Sequence, residues 1–296
     1  MARSTRDPAP PVIIEAAING GTTKATNPNV PVDADEIVAD ALACFEAGAA
    51  IVHHHIGSRP RSGPEAADVY LGIWRRVLAE RADALWYPTI NFGPEEARYA
   101  HIAPMAESGL LRLSLSDPGP VNLGRPDEAG VPTGGWTYRN TFDQIAEQLA
   151  LCHQHRLGPS FAIYEPGFAR TVMAYHRAGR LPGGAMLKFY LAADRGLTGT
   201  PFGLPVTTTA LAAYLEVLDG ADLAWAVSAV GDDLGRSPVV GPALDLGGHL
   251  HVGLEFYGGD RQPSNVQLVE EAVAAASAAG RPVADCATAA WVLGLP

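Results

Sequence analysis

The chain has 296 residues, 47% of them hydrophobic and 18% charged, with Lys+Arg 21 against Asp+Glu 32 and a formal net charge of −11 at pH 7. So apolar a chain buries a substantial core, which excludes disorder. Its acidic balance excludes a non-specific binder of nucleic acid or anionic membrane, because such partners select basic faces. Length alone admits two ordinary domains or one α/β barrel of about 250 residues.

The polar start MARSTRDPAP and the short apolar run Val12 to Ala17 make neither a secretory h-region nor a membrane span, so the cytoplasm is the expected address. Val12-Ile13-Ile14 opens a buried strand that ends at Asn19-Gly20-Gly21. Asp33 with Glu36 caps a helix through Ile37, Val38, Ala41 and Phe45, stopped by Gly48. Ala49 to Val52 restarts a strand, Val69 to Leu78 has helical spacing, and Leu85 to Ile90 is strand-like. Ala97 to Ala106 reads as a helix, and Leu111, Leu113 and Leu115 alternate as a strand. The Pro/Gly-rich stretch from Asp117 to Gly135 reads as a long loop over the site. Thr141 to Cys152 is a helix, Phe161 to Tyr164 a strand, Val172 to His176 part of a helix closed by Gly179, and Met186 to Leu191 a strand. Ala210 to Leu218 (helix) and Ala224 to Val230 (strand) follow. Ser237-Pro238 reads as the N-cap and first residue of a short helix, and Leu250 to Leu254 as a strand. Ser264 then opens an alanine-rich helix ending at Gly280, with a final helix in Ala284 to Leu293.

Eight strand-then-helix units without a linker predict a single (β/α)8 TIM barrel over residues 1–296 with an extra C-terminal helix. An open doubly wound sheet is the alternative, but no GxGxxG follows the first strand. The three cysteines, Cys44, Cys152 and Cys286, are far apart with no CxxC spacing, so neither a disulfide scaffold nor a cysteine zinc site is indicated.

Barrel enzymes carry their chemistry at the C-terminal ends of the strands. The second strand ends His53-His54-His55, and strand alternation points His53 and His55 inward together and His54 towards the helices. Two inward imidazoles are half of a divalent metal site, with zinc favoured by nitrogen ligands; hydrogen-bonded structural histidines are the alternative. The eighth strand, Gly248 to Glu255, puts residues 249, 251, 253 and 255 on one face, so Glu255 offers a third ligand. A His2Glu set leaves a coordination position open, as a catalytic zinc requires. Otherwise Glu255 pairs with a loop arginine. Glu165 after the fifth strand and Asp232 after the seventh add carboxylates, although loop acids such as Asp232 are often solvated turn residues. Lys188 inside the sixth strand points inward to an acid, Glu165 or Glu15, or snorkels outward. No GxSxG and no strand-end cysteine offers a nucleophile.

The segments AAINGGTTKATNPNVPV, ACFEAGAAIVHHHIGSRP, YEPG, WAVSAVG, GGHLHVGLE and SNVQLVEEA, in this order over nearly the whole chain, resemble the β-keto acid cleavage enzymes, a family that includes the 3-keto-5-aminohexanoate cleavage enzymes. The resemblance implies a zinc-dependent TIM barrel and a homo-oligomer. It also implies acyl exchange between a small β-keto acid and acetyl-CoA, giving acetoacetate and a new acyl-CoA. By position it implies Zn2+ on His53, His55 and Glu255, and it matches the family's glutamate after the fifth strand to Glu165.

Two departures stand out. Where the family has an arginine four residues before the third ligand and an aspartate directly after it, this chain has His251 and Phe256. The family's serine turn after the third strand is replaced by Ile90-Asn91-Phe92-Gly93, and its glutamate after the first strand by Thr22. The expectation is a divergent member in which His251, Asp232 or Glu15 takes over proton transfer, with Asn19, Thr22, Asn91, Ser114 and Ser116 contacting substrate. A metal-dependent hydrolase or aldolase, or an inactive metal-containing binding protein, is the alternative. Gly258-Gly259 is a weak candidate for a CoA phosphate, and the apolar Trp291 and Leu293 are compatible with oligomerisation.

Overall fold

The computed structural model describes residues 10–92 and 97–295, so Gly93 of the replaced serine turn lies outside the described residues. Eight parallel strands make the barrel: β1 (Ile14–Ala17), β2 (Ile51–His54), β3 (Leu85–Pro88), β4 (Leu113–Ser116), β7 (Gly158–Ile163), β8 (Met186–Ala192), β9 (Ala224–Val230) and β10 (His249–Val252). Between β4 and β7 an antiparallel hairpin, β5 (Val121–Pro126) and β6 (Pro132–Tyr138), forms its own two-stranded sheet. The hydrogen-bonded order is β3-β2-β1-β10-β9-β8-β7-β4. β4 lies beside β3, so the barrel is nearly closed and that seam is packed without a ladder among the described residues.

The helices between the strands begin where their caps dictate. α1 (Ala34–Ala47) starts at Asp33, whose carboxylate accepts the Glu36 N–H at 2.9 Å. α2 (Gly63–Glu80), α4 (Phe142–His155) and α8 (Asn265–Ala278) each open on a reciprocal capping box, Ser62/Glu65, Thr141/Gln144 and Ser264/Gln267. Between them lie α3 (Ile102–Glu107), α5 (Pro166–Arg177), α6 (Thr208–Leu218) and α7 (Val240–Asp245), and α9 (Cys286–Leu293) ends the chain. Outward strand residues bury against this ring: Trp86 of β3 stacks on Trp74 of α2 with centroids 4.5 Å apart, both essentially inaccessible. Burying one indole of this kind is worth on the order of 4 kcal/mol before entropy is counted.

Three local expectations are corrected. The stretch 117–135 is largely the hairpin, closed by an Asp127 turn whose carboxylate accepts the N–H groups of Ala129 and Val131 at 2.9 Å. Most of β6 is exposed, so the stretch lacks the apolar alternation that marks a strand in sequence. Ser237 caps no helix: its hydroxyl donates to Leu234 O at 2.8 Å, closing a 3-10 turn, and α7 starts at Val240. The helix expected from Ala97 is a turn followed by the short α3, which starts only at Ile102. Among the described residues no helix is long and apolar enough to cross a membrane.

Candidate metal centre and active site

His53 lies in register with Tyr87 of β3 and Ala17 of β1, at the C-terminal mouth of the barrel. His54 points the other way, between Tyr70, Trp74 and Trp86. Its Nε2 accepts the Trp74 indole N–H at 2.7 Å, and its Nδ1–H donates to His55 O at 3.2 Å, making it a neutral structural histidine. His55 follows the strand and is clamped by Asn19, whose Oδ1 accepts the His55 N–H at 2.8 Å while its Nδ2 donates to His55 O at 3.1 Å. Asn19 also binds Pro31 O and Gly20 N, so it positions a histidine and has little left to offer a substrate. Asn19→Ala is expected to weaken divalent metal affinity roughly 10–100-fold, read by chelator competition. An unchanged affinity would remove the clamp from the account.

Glu255 reaches the same mouth by a different route from simple strand alternation. β10 ends at Val252; Gly253 takes φ +128, and a Cβ there would lie 2.1 Å from Ala17 O. The following turn is pinned by Glu255 N–H to Ala17 O (3.1 Å), Leu254 N–H to Asn265 Oδ1 (2.9 Å) and Thr22 Oγ1–H to Leu254 O (2.7 Å). Gly20 makes room for the carboxylate arm, since a Cβ there would come within 2.1 Å of Glu255 Cγ. Thr22 and Asn19 thus both build the mouth.

The result is a trio whose ligand atoms all lie within 4.8 Å of one another: His53, His55 and Glu255. His53 Nε2 is 3.3 Å from Glu255 Oε2, and His55 Nε2 is 3.0 Å from Oε1. His53 Nδ1 lies 3.1 Å from Tyr87 O; a carbonyl only accepts, so Nδ1 carries the proton. Burial, the largest influence, lowers the His53 pKa to about 3, so its Nε2 presents a lone pair to a carboxylate oxygen. Burial raises the Glu255 pKa, but the two histidines overcome it and bring it to about 2. His55 Nε2 and Glu255 Oε2 are buried without a hydrogen-bond partner. Acceptors facing one another out of water are costly unless a cation sits among them, so this donor set fits a divalent metal.

Beneath the trio lies a second inward layer. Lys188 Nζ is 3.3 Å from Glu15 Oε1, donates to Ser160 Oγ at 2.8 Å, and hydrogen-bonds the Tyr87 hydroxyl, which donates to Glu15. His251 Nε2 is 3.2 Å from the same Glu15 oxygen. Of the two sequence readings for Lys188 the inward one therefore holds, with Glu15 as partner. Tyr87 joins the layers: its ring stacks on His53 at 4.5 Å and its carbonyl orients that imidazole. Phe256 caps His251, with rings 5.3 Å apart, and meets Tyr190 at 4.8 Å.

The remaining predicted residues scatter. Glu165 is the N-cap residue of α5 and accepts the Gly203 N–H at 3.0 Å; it lines an open cleft of about 670 Å³ beneath the hairpin. Asp232 turns back to accept the Asp233 N–H at 2.7 Å. Asn91 donates to Arg61 O at 2.6 Å and borders a second cleft of about 420 Å³ with Phe92, Arg98 and Tyr138. Ser114 and Ser116 turn away from the mouth: Ser116 donates to Gln148 of α4 at 3.2 Å, and Ser114 interacts with Cys152 of the same helix. Sequence reasoning missed Asp117, buried just past β4 and hydrogen-bonded by the Tyr138 hydroxyl. It also missed Asn265, whose Nδ2 holds Ile18 O (2.8 Å) and Asp40 (2.7 Å) while its Oδ1 holds the Glu255 turn. Asp117 lay within the stretch read as a loop, and Asn265 within a capping motif, so neither carried a signal of its own.

The profile of the beta-keto acid cleavage enzyme family matches residues 11–295. The chain belongs to that family. Among curated members, it is 30% identical to the 3-oxoadipate:acetyl-CoA acetyltransferase of Cupriavidus necator, over 97% of this chain and 95% of that one. It is 25% identical to the 3-keto-5-aminohexanoate cleavage enzyme of Acetoanaerobium sticklandii (96% and 98%) and 23% identical to the 3-dehydrocarnitine:acetyl-CoA trimethylamine transferase of Rhizobium meliloti (92% of each). This β-keto acid cleavage enzyme-family chain shares its fold with ObcA, solved as a ternary complex with a C4-CoA adduct and oxalate. The TM-score is 0.68 at 15% identity, over 90% of this chain and 68% of that one. The fold is the (β/α)8 barrel, and the low identities mark a divergent member.

Proposed function

We propose that the protein is a zinc enzyme that exchanges acyl groups between a small β-keto acid and acetyl-CoA, releasing acetoacetate and a new acyl-CoA. The observation that carries this reading is the His53, His55 and Glu255 trio at the barrel mouth, with its unpartnered buried acceptors, in a chain of this family. Zinc held there would supply a Lewis acid for the keto and carboxylate oxygens of the substrate. The protein's own part is to hold the ligands rigidly, through Asn19, Tyr87 and the Asn265-pinned turn. The names of the relatives, which include 3-oxoadipate, 3-keto-5-aminohexanoate and acetyl-CoA, support the substrate class.

Zinc-loaded protein is expected to convert at least one of a panel of 3-oxo acids, in the presence of acetyl-CoA, to acetoacetate and the matching acyl-CoA at about 1 s⁻¹ or faster. Mass spectrometry of the CoA esters reads this directly. Cleavage products without a new CoA ester would point instead to an aldolase or hydrolase. A second reading, a metal-containing binding protein without turnover, is favoured by Phe256, which packs on His251 and Tyr190 where the family carries a proton-accepting aspartate. Metal binding with no product from any acid in the panel would select it.

A further inference from the structure

An acyl exchange at the carbon next to a keto group needs a base for a carbon-bound proton, and the groups expected to serve are engaged elsewhere. His251 and Glu15 are fully buried in the inner layer, His251 beneath the Tyr190 and Phe256 rings and Glu15 against Lys188. The Asp232 carboxylate accepts the Asp233 N–H. Phe256 cannot take a proton.

We propose that Asp117 is the catalytic base of this enzyme, taking the C2 proton of the β-keto acid. The inference rests on the function proposed above. Ser114 and Ser116 face α4, so the alternation turns Leu113 and Leu115 inward, and Asp117 directly follows β4 at the C-terminal end of the barrel. The side chain lies at the mouth under the hairpin, where the Tyr138 hydroxyl donates to one carboxylate oxygen, Oδ2. It is only 7% exposed, and burial of this kind disfavours the ionised carboxylate and keeps it basic. The groups that face it are Tyr138 on β6, Tyr99 and Arg98 on the turn before α3, Tyr164 after β7, Lys188 on β8, and Glu255 of the trio. Burial pushes the Asp117 pKa up to about 6 against the opposing Tyr138 hydrogen bond and Lys188 charge, so at neutral pH it is ionised and still a competent base.

In the step itself the C2–H bond breaks, the proton bonds to an Asp117 carboxylate oxygen, and the electron pair delocalises into the 3-keto carbonyl as an enolate. Returning the proton to carbon at the end of the cycle restores the carboxylate. Tyr138 holds the carboxylate in place from the hairpin, so base and cover are one assembly.

The test is hydrogen exchange without acetyl-CoA. Zinc-loaded protein in D2O is given 3-oxoadipate, acetoacetate or 3-oxohexanoate, and loss of the C2 proton is followed by NMR against the buffer rate. The wild type is expected to accelerate exchange of at least one acid, with an acid limb near pH 6. Asp117→Asn is expected to lower that exchange about 100-fold or more at unchanged zinc content and melting temperature. If Asp117→Asn fails to fold, Asp117→Glu is expected to slow exchange and displace the acid limb. The assignment is overturned if the wild type accelerates no exchange, if Asp117→Asn or Asp117→Glu leaves rate and acid limb unchanged, or if Glu165→Gln abolishes exchange while Asp117→Asn keeps it. Exchange without acyl-CoA formation on adding acetyl-CoA would fail the proposed function while leaving the base in place.

Discussion

His53→Ala is expected to abolish stoichiometric zinc binding while leaving the barrel folded. In the metal-free chain His53 Nε2 faces Glu255 Oε2 at 3.3 Å with its own proton committed to Tyr87 O, an arrangement of two acceptors that gains nothing without a cation between them. Removing the imidazole therefore costs the apo protein little of its electrostatic stability, whereas the holo protein loses one of three ligands. The loss in affinity should exceed the roughly 10–100-fold expected when an outer hydrogen bond such as that of Asn19 is removed. Melting temperature separates the two states by mass action. Zinc at about 100 times its Kd should stabilise the wild type by about 2.7 kcal/mol and the variant not at all. Elemental analysis after gel filtration together with thermal scans with and without zinc makes the measurement. Full zinc occupancy in His53→Ala, or a wild type indifferent to zinc, would sink the metal centre and with it the Lewis-acid part of the proposed reaction.

The barrel was legible because eight apolar strands alternate with capped helices, and the caps at Asp33 and Ser264 fall where the sequence puts them. The histidine pair was legible because the period-2 rule, carried one residue past β2, puts 53 and 55 together, and His54 indeed buries among indoles. Glu255 shows where that rule ends. The same alternation was carried across Gly253, where the strand has already stopped, and the carboxylate arrives through a turn whose anchors, Asn265 and Ala17 O, are remote in sequence. Ser114 and Ser116 show the opposite error. In a strand reading Leu-Ser-Leu-Ser the polar face suggests the mouth, but Gln148 and Cys152 on α4 offer polar partners on the helix side, and only the tertiary neighbour decides. Asp117, directly after that strand, falls in the Pro/Gly-rich stretch whose sequence reads as a loop. The inner layer needs the register Glu15 with His251 and the packing of β8 across the barrel, which no local pattern encodes.

That inner layer carries the other large effect. Lys188→Met is expected to destabilise the protein by about 3–5 kcal/mol, because Glu15 is completely buried and would keep its charge without its principal counter-charge. Glu15→Gln should cost less, since Lys188 retains Ser160 and Tyr87 as hydrogen-bond partners. The double variant should recover part of the loss, a non-additivity that denaturant titration of all four proteins measures. The pH dependence carries a definite sign. Burial alone would raise the pKa of Glu15, but Lys188 and His251 overcome it and hold the carboxyl well below the usual glutamate range. A group whose folded pKa lies below its unfolded value of 4.5 contributes stability that is complete above that pH and lost as pH falls through the acid range. The wild type should therefore lose stability below about pH 4.5 more steeply than Glu15→Gln. Because the Tyr87 hydroxyl is held by Glu15 and Lys188 while its ring and carbonyl orient His53, Lys188→Met should also loosen the metal site above it. Lost stability with undiminished zinc affinity would show that the two layers are energetically independent. A Lys188→Met protein as stable as the wild type would show that the buried charge pair contributes nothing to the fold.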